Sequence, residues 1–308
     1  MKVCIIGGTG HIGSQLVPML VDAGMDVSVV TRGQHNIPQN ELWKNVVLLK
    51  ADYRRQDVAW HRFLENLRVD VLVDLLGVDL PGTYHEAQKY IAHLVACGSF
   101  WMYGPPQIVP TPEETQNQCE FEEYSRRYYE IVGIRNQAIH DGLAFTAIMP
   151  TNICGPGKIP IDMKGGRNIG VHRAHAEGAE VVLPKGCNTL IAPCDVSDVA
   201  QGFFLAITQR ERARGEIFNV GPPFALTMEK FIQTYETIYQ CDLPREFMDW
   251  EPFLNEYLPE PGANYHFREH MSPDILKIRE MLGYDPRYTP EESLHRAARW
   301  MRAQDLLS

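Results

Sequence analysis

"IIGGTGHIGSQL", Ile5 to Leu16, sets Gly7, Gly10 and Gly13 in a G-x-x-G-x-x-G spacing. The apolar run "KVCIIGG" (2–8) leads into it, and "HIGSQLVPMLVDAG" (11–24), with helical spacing, leads out. Glycines at a strand-to-helix junction permit a tight turn whose backbone N–H groups close on a pyrophosphate at the positive helix N-terminus. A glycine triplet alone is a weak signal; its place between a buried strand and an amphipathic helix predicts a dinucleotide site formed by Gly7, Thr9, Gly10, His11, Ile12 and Gly13.

Outward from this turn the same alternation repeats. "DVSVVTRG" (26–33), "NVVLLKAD" (45–52), "VDVLVDLLG" (69–77), "AHLVACGS" (92–99) and "LAFTAIMP" (143–150) read as short buried strands, and "DVAWHRFLENLR" (57–68) as a helix. Continuous apolar strands separated by helices are what a parallel sheet covered on both faces requires, so the class is α/β, a Rossmann-type doubly wound sheet. From about Gly155 the pattern loosens; a last strand is expected at "GEIFNVG" (215–221), and helices at 272–282, with a Ser-Pro start, and at 290–304. We assign 1–157 and 188–224 to the dinucleotide-binding domain, and 158–187 and 225–308 to a smaller C-terminal substrate lobe.

The second predicted strand ends in "VVTRG". An acidic residue there would accept hydrogen bonds from the adenosine ribose; Thr31 and Arg32 stand in its place, and a guanidinium pairs with a 2′-phosphate. This favours NADP(H), with NAD(H) as the alternative.

Composition narrows the function classes. The chain has 308 residues, 44% hydrophobic and 22% charged, with a formal net charge of -10. Such a balance argues against a sequence-independent grip on nucleic acid or on anionic membranes, both of which need a basic surface. Glycines break the N-terminal apolar run, and no run approaches the roughly 18 residues that cross a bilayer, so a cytoplasmic protein is expected. The seven cysteines form no C-x-x-C pair, which suits reduced, buried thiols.

With these residues in place, the chain resembles the extended short-chain dehydrogenase/reductases, the group of NAD-dependent sugar epimerases and dehydratases. "GGTGHIG" is similar to their glycine motif, and "KADYRR" (50–55) to their third-strand end, which implies Asp52 at the adenine amino group and Tyr53 at the adenine ring. "DLLG" (74–77) stands where the fourth strand passes the cofactor, implying a contact from Leu75. "GSFWMYG" (98–104) places Ser99 at the active-site serine, and "MPTNICGPG" (149–157) places Pro150 and Asn152 beside the cofactor. "APCDVSDVA" (192–200), "GEIFNVG" and "LGYDP" (282–286) match later landmarks, so the resemblance runs nearly end to end. It implies a nicotinamide cofactor, a small-molecule substrate of sugar or sugar-nucleotide type, epimerase, dehydratase or reductase chemistry, and a homodimer.

One feature of that family is missing. Its catalytic helix carries Tyr-x-x-x-Lys, in which residues four apart share a helix face and the ammonium supports the tyrosinate. Ionising a tyrosine of ordinary pKa at pH 7 costs about 4 kcal/mol, which a neighbouring cation offsets. The corresponding stretch here, "FEEYSRRYYEIVGIRN" (121–136), puts Tyr128 four after Tyr124, Val132 after Tyr128 and Gly133 after Tyr129; no lysine occurs between Tyr90 and Gly157. Spacing back from Pro150 favours Tyr128 or Tyr129 as the proton-moving residue, with Arg126, Arg127 or Arg135 as sources of charge. Three readings stand: a working site built on Ser99 and a tyrosine, a cofactor-binding regulatory or scaffold protein without redox chemistry, and a purely structural aromatic face.

"KIPIDMKGGRNIGVHRAH" (158–175) gathers Lys158, Lys164, Arg167, His172 and Arg173, the densest basic cluster in an acidic chain. Its functional reading is an anionic substrate held by Arg167, with Asn168 resembling the family's substrate-facing asparagine; its bland reading is a solvated basic loop. His172 and His175 lack a third ligand at a recognisable spacing, so no metal is expected. Asp195 and Asp198 are expected to cap the helix that follows them.

Overall fold

Seven parallel strands form the central sheet of the computed structural model, one from each predicted apolar run. The structure describes residues 1–34, 37–38, 40–54, 58–114 and 117–307. Arg55 and Asp57, which belong to the predicted third-strand end and second helix, lie outside the described residues.

In chain order the first six strands are β1 (Lys2–Ile6), β2 (Asp26–Thr31), β3 (Val47–Lys50), β4 (Val71–Asp74), β5 (His93–Cys97) and β6 (Ala144–Pro150); the seventh is Glu216–Val220. Across the sheet they run β3, β2, β1, β4, β5, β6 and Glu216–Val220. The order reverses between β1 and β4, and a crevice opens there at the carboxyl ends of the strands. Helices α1 (His11–Asp22), α2 (Val58–Asn66), α3 (Leu80–Ala87) and α4 (Glu122–Asp141) make the connections that place functional groups.

Both faces of the sheet are covered, which is why its strands are apolar throughout rather than alternating. Leu16, Val17 and Leu20 of α1 pack on one face with Val199 and Phe203 of the helix Val196–Thr208. Trp60 and Leu64 of α2, Tyr84 of α3, and Tyr128 and Ile131 of α4 pack on the other. Each such side chain, fully buried, contributes about 1.5–3 kcal/mol. A third core, with Phe231, Tyr235, Phe253, Phe267 and Met301, holds the C-terminal lobe.

Two expectations need correction. The 272–282 helix starts at Leu276, not at its Ser-Pro pair: Thr111 N donates to Ser272 O at 2.8 Å and Asp274 N to Thr111 O at 2.8 Å, so that pair is drawn into an extended bridge. Ile275, Ile278 and Leu282, assigned to the lobe, pack instead into the core of the sheet with α1. The last helix, Pro290–Ala303, starts with a capping box between Thr289 and Glu292. Among the described residues no helix is long and apolar enough to cross a membrane.

Candidate functional site

The glycine turn sits at the switch point. Gly7 has φ 80°, and Gly10 N donates to Gly7 O at 3.0 Å, closing the turn as α1 begins. A Cβ at Gly13 would lie 2.1 Å from Gly8 O, so the helix rests directly on the strand end and only glycine fits. No side chain caps the N-terminus of α1. Its first-turn N–H groups and the close approach at Gly13 fit a pyrophosphate.

On the β2–β3 side of the turn lies a small cleft of about 110 Å³ lined by Gly7, Thr9, Gly10, Thr31, Arg32, Tyr53, Arg54 and Leu76, with Ile6, Val30 and Ala51 behind them. Arg54, which sequence reading passed over, joins Arg32 there. Tyr53 donates from its hydroxyl to Asp74 Oδ2 at 2.5 Å, while Asp74 Oδ1 accepts from Leu76 N and Gly77 N, both at 2.9 Å. Val78 N donates to the Tyr53 hydroxyl at 3.1 Å. The tyrosine thus clasps the loop after β4 to the end of β3. Burial is the main cause that pushes the Asp74 carboxyl and the Tyr53 phenol upward.

On the other side a cavity of about 790 Å³ runs between the sheet edge and the lobe. Ser99, just after β5, lines it with Trp101, Phe121, Glu123 and Tyr124; Thr151 and Asn152, just after β6, line it as well, together with Lys158, Arg167, Glu260 and, from the lobe helix Pro261–Arg268, Ala263 and His266. Ser99 Oγ also accepts from Trp101 N at 3.4 Å, starting the turn that carries Trp101. Asn152 Nδ2 is buried and makes no hydrogen bond among the described residues, nor does His266 Nδ1. A buried donor left so costs about 1–3 kcal/mol, which a bound ligand would recover.

The cavity carries both signs of charge, Glu123 and Glu260 lining it along with Lys158 and Arg167. Burial first, then the charges of Lys158 and Arg167, pull His11 down to about 4. Burial and the Arg167 charge pull His266 down to about 3. Burial and Arg167 lower Lys158, and burial lowers Arg167 itself. The Arg167 charge thus bears on His11, Lys158 and His266 alike, and an anion bound beside it would offset that effect.

The tyrosine assignment changes. Tyr124, in the first turn of α4, lines the cavity with Ser99; Tyr128 lies buried in the sheet core with its ring 5.6 Å from that of Tyr103, and Tyr129 is 55% exposed on the outside. The helix begins at the carboxyl edge of the sheet and runs away from it at 1.5 Å per residue, so its first two turns lie nearest the cleft. Counting back from Pro150 favours Tyr128 or Tyr129, and neither of these lines the cavity.

Other predicted residues divide as follows. Ile12 and Gly13 are buried beneath the turn, and His11 lines the larger cavity rather than the small cleft. Leu75 packs against the sheet core, leaving the cleft wall to Leu76. Asp52 and Pro150 line neither cavity: Asp52 Oδ1 accepts from Arg54 N at 3.2 Å, and Pro150 pairs with Val220 inside the sheet. Asn168 is also outside; its side chain caps the helix Ile169–Ala176 by accepting from Gly170 N at 2.8 Å.

The basic cluster splits in the same way. Arg167 and Lys158 reach the cavity, but Lys164 sits over the Tyr257 ring and Arg173 binds Leu306 O. His172 lies 2.7 Å from the Tyr239 hydroxyl and 3.2 Å from Pro160 O, and His175 3.3 Å from Glu180 O, so both are packing residues. Asp195 caps the helix Val196–Thr208 through Ser197 N at 2.9 Å and pairs with Arg296, whereas Asp198 accepts from Arg287 N and Tyr288 N. Five of the seven cysteines are buried, and all seven are free thiols.

Comparison with known proteins agrees with this geometry. The model of the NAD dependent epimerase/dehydratase family matches residues 3–221. The chain is 24% identical to chloroplast stem-loop binding protein of 41 kDa b from Arabidopsis thaliana, over 95% of this chain and 77% of the relative. It is 23% identical to UDP-glucuronic acid decarboxylase 3 from the same plant, over 96% and 87%. Among solved structures, the UDP-glucose 4-epimerase of Thermotoga maritima superposes with a TM-score of 0.75 at 21% identity, covering 99% of both chains. The dTDP-glucose 4,6-dehydratase of Bacillus anthracis superposes with a TM-score of 0.75 at 16% identity, covering 99% of this chain and 97% of that one. A glycine turn at the switch point of a β3-β2-β1-β4-β5-β6 sheet, and a family match over most of the chain, lead to one conclusion: this protein belongs to the NAD-dependent epimerase/dehydratase family.

Proposed function

We propose that the protein is an NADP(H)-dependent enzyme of epimerase or dehydratase type acting on a sugar nucleotide. The observation that carries this reading is the larger cavity, which Ser99, Tyr124, Lys158 and Arg167 line together. A nicotinamide cofactor, when bound, supplies hydride exchange at a sugar carbon. Ser99 orients the substrate oxygen, and Tyr124 moves the proton at that oxygen. Lys158 and Arg167 hold the diphosphate, and Asn152 Nδ2 donates to cofactor or substrate. The nucleotide sugars in the names of the decarboxylase, epimerase and dehydratase above support the substrate class.

The cofactor residues would be Gly7, Thr9 and Gly10 at the pyrophosphate and Thr31, Arg32, Tyr53 and Arg54 at the adenosine end. Two arginines, with no carboxylate lining the cleft among the described residues, favour the 2′-phosphate. The second reading, a cofactor-binding protein without turnover, draws on Tyr128, which fills the place four residues after Tyr124 with a buried phenol.

One experiment separates the two. NADPH and NADH are titrated into the protein, and UDP- and dTDP-sugars are then followed by NMR with the bound cofactor. The expected result is NADPH binding about tenfold tighter than NADH, with interconversion of at least one sugar that Ser99→Ala abolishes. Cofactor binding without turnover across the panel would establish the second reading, and tighter NADH would refute the roles of Arg32 and Arg54.

A further inference from the structure

We infer that Arg127 is the cation of the reaction site, serving the nicotinamide end of the cofactor in place of the lysine that α4 lacks. This inference rests on the nicotinamide-dependent reading above.

Three arginines on α4 could supply charge, and the structure separates them. Arg126 pairs with Glu130 one turn along the helix. Arg135 Nε donates to Gly215 O at 2.6 Å, at the amino edge of the sheet. Arg127 alone of the three turns toward the switch point, where its Nη2 donates to Leu76 O at 3.3 Å.

The guanidinium lies across the ends of β4 and β5. A Cβ placed on Gly77 would meet Arg127 Nη2 at 2.5 Å and Cys97 O at 3.5 Å. Glycine at this position, with φ 57°, therefore leaves the space that the guanidinium uses. Leu76 lines the small cleft, and Ser99, two residues past Cys97, lines the larger cavity, so Arg127 stands between the two. A dinucleotide with its pyrophosphate on the glycine turn and its adenosine against Arg32 must pass its other ribose over this point.

Helical spacing adds the second argument. Residues three apart share a helix face, so Tyr124 and Arg127 project toward the same edge. The Tyr-x-x-x-Lys arrangement puts its cation at the fourth residue; here that residue is Tyr128, buried in the core, and the cation comes one residue earlier on a longer side chain. A guanidinium has five N–H donors in a planar fork, so a bond to Leu76 O leaves donors for the vicinal hydroxyls of a ribose.

The test reads binding rather than turnover. Wild type, Arg127→Met, Arg127→Lys and Arg126→Met are titrated with NADPH and NADH, and with the adenosine-half fragments 2′,5′-ADP and ADP. For whichever dinucleotide the wild type binds, Arg127→Met should weaken it about tenfold or more and leave the matching fragment unchanged. Arg127→Lys should recover part of the loss, and Arg126→Met should bind as wild type. Unchanged dinucleotide affinity in Arg127→Met would overturn the inference, as would an equal loss for dinucleotide and fragment, which reports a merely structural role. A wild type that binds neither dinucleotide would overturn the cofactor reading itself.

Discussion

The glycine turn after β1 and the first turns of α4 flank the same crevice, yet they tolerate change differently. At the turn, backbone does the work: Gly13 packs within a Cβ's reach of Gly8 O, and no other side chain can take its place. On α4, side chains do the work, and a helix face offers several of them at nearly equivalent positions. Tyr124, Arg127 and Tyr128 lie within two turns, so one role can pass to a neighbouring residue without disturbing the fold. Backbone geometry is fixed by steric exclusion, whereas side-chain chemistry is fixed only by where a long side chain can reach.

The largest effect that would break this comparison concerns the tyrosines. Tyr124→Phe should lower turnover of the sugar substrate by about 10²–10⁴-fold. Tyr128→Phe leaves the ring that packs in the core in place and should keep both turnover and the fold. Steady-state rates and thermal melts of the two variants check this, and a larger rate loss in Tyr128→Phe would return catalysis to the deeper tyrosine.

Next in size is the turn. Gly13→Ala forces a methyl group against backbone, an overpacking that costs about 1–3 kcal/mol, and should eliminate dinucleotide binding. Chemical denaturation and a cofactor titration measure the two effects; retained affinity would show that the turn is as adaptable as the helix.

The smallest effect is a pH dependence that belongs to the sheet rather than the cleft. His93 in β5 is buried, 2.9 Å from Thr146 Oγ1, and burial, aided by the Arg210 charge, pulls it down to about 3. Its folded value lies below the unfolded value of about 6.5, so its share of stability is intact above pH 6.5 and is lost as pH falls toward 3. The loss is about 1.4 kcal/mol per pH unit in that window. His93→Gln should therefore show a smaller drop in unfolding free energy between pH 7 and pH 5 than wild type; an equal drop would exclude His93 as a source of acid sensitivity.

What could be read from the sequence follows the same division. All seven strands and the glycine turn were legible because a doubly covered parallel sheet writes itself as uninterrupted apolar runs. Ser99 and Asn152 were legible because each follows such a run directly. Tyr124 was not singled out because counting back from Pro150 places residues on the helix without showing which of its turns meets the cleft. The lobe's share of the cavity, Ala263 and His266, had no local pattern: the tertiary fold brings them to Trp101, whose ring lies 4.4 Å from that of His266. Arg54 had no pattern of its own beside Asp52 and Tyr53; the tertiary fold brings it to the cleft with Arg32.

The Tyr53–Asp74 clasp has a further consequence. It ties the wall of the adenosine cleft to Leu76 and Gly77, the bed on which Arg127 rests. On the proposed cofactor reading, the two ends of the dinucleotide site share one brace. A fragment that settles against Tyr53 would then bear on the loop that carries Leu76 and Gly77, and binding of the second fragment at Arg127 should be favoured by the first.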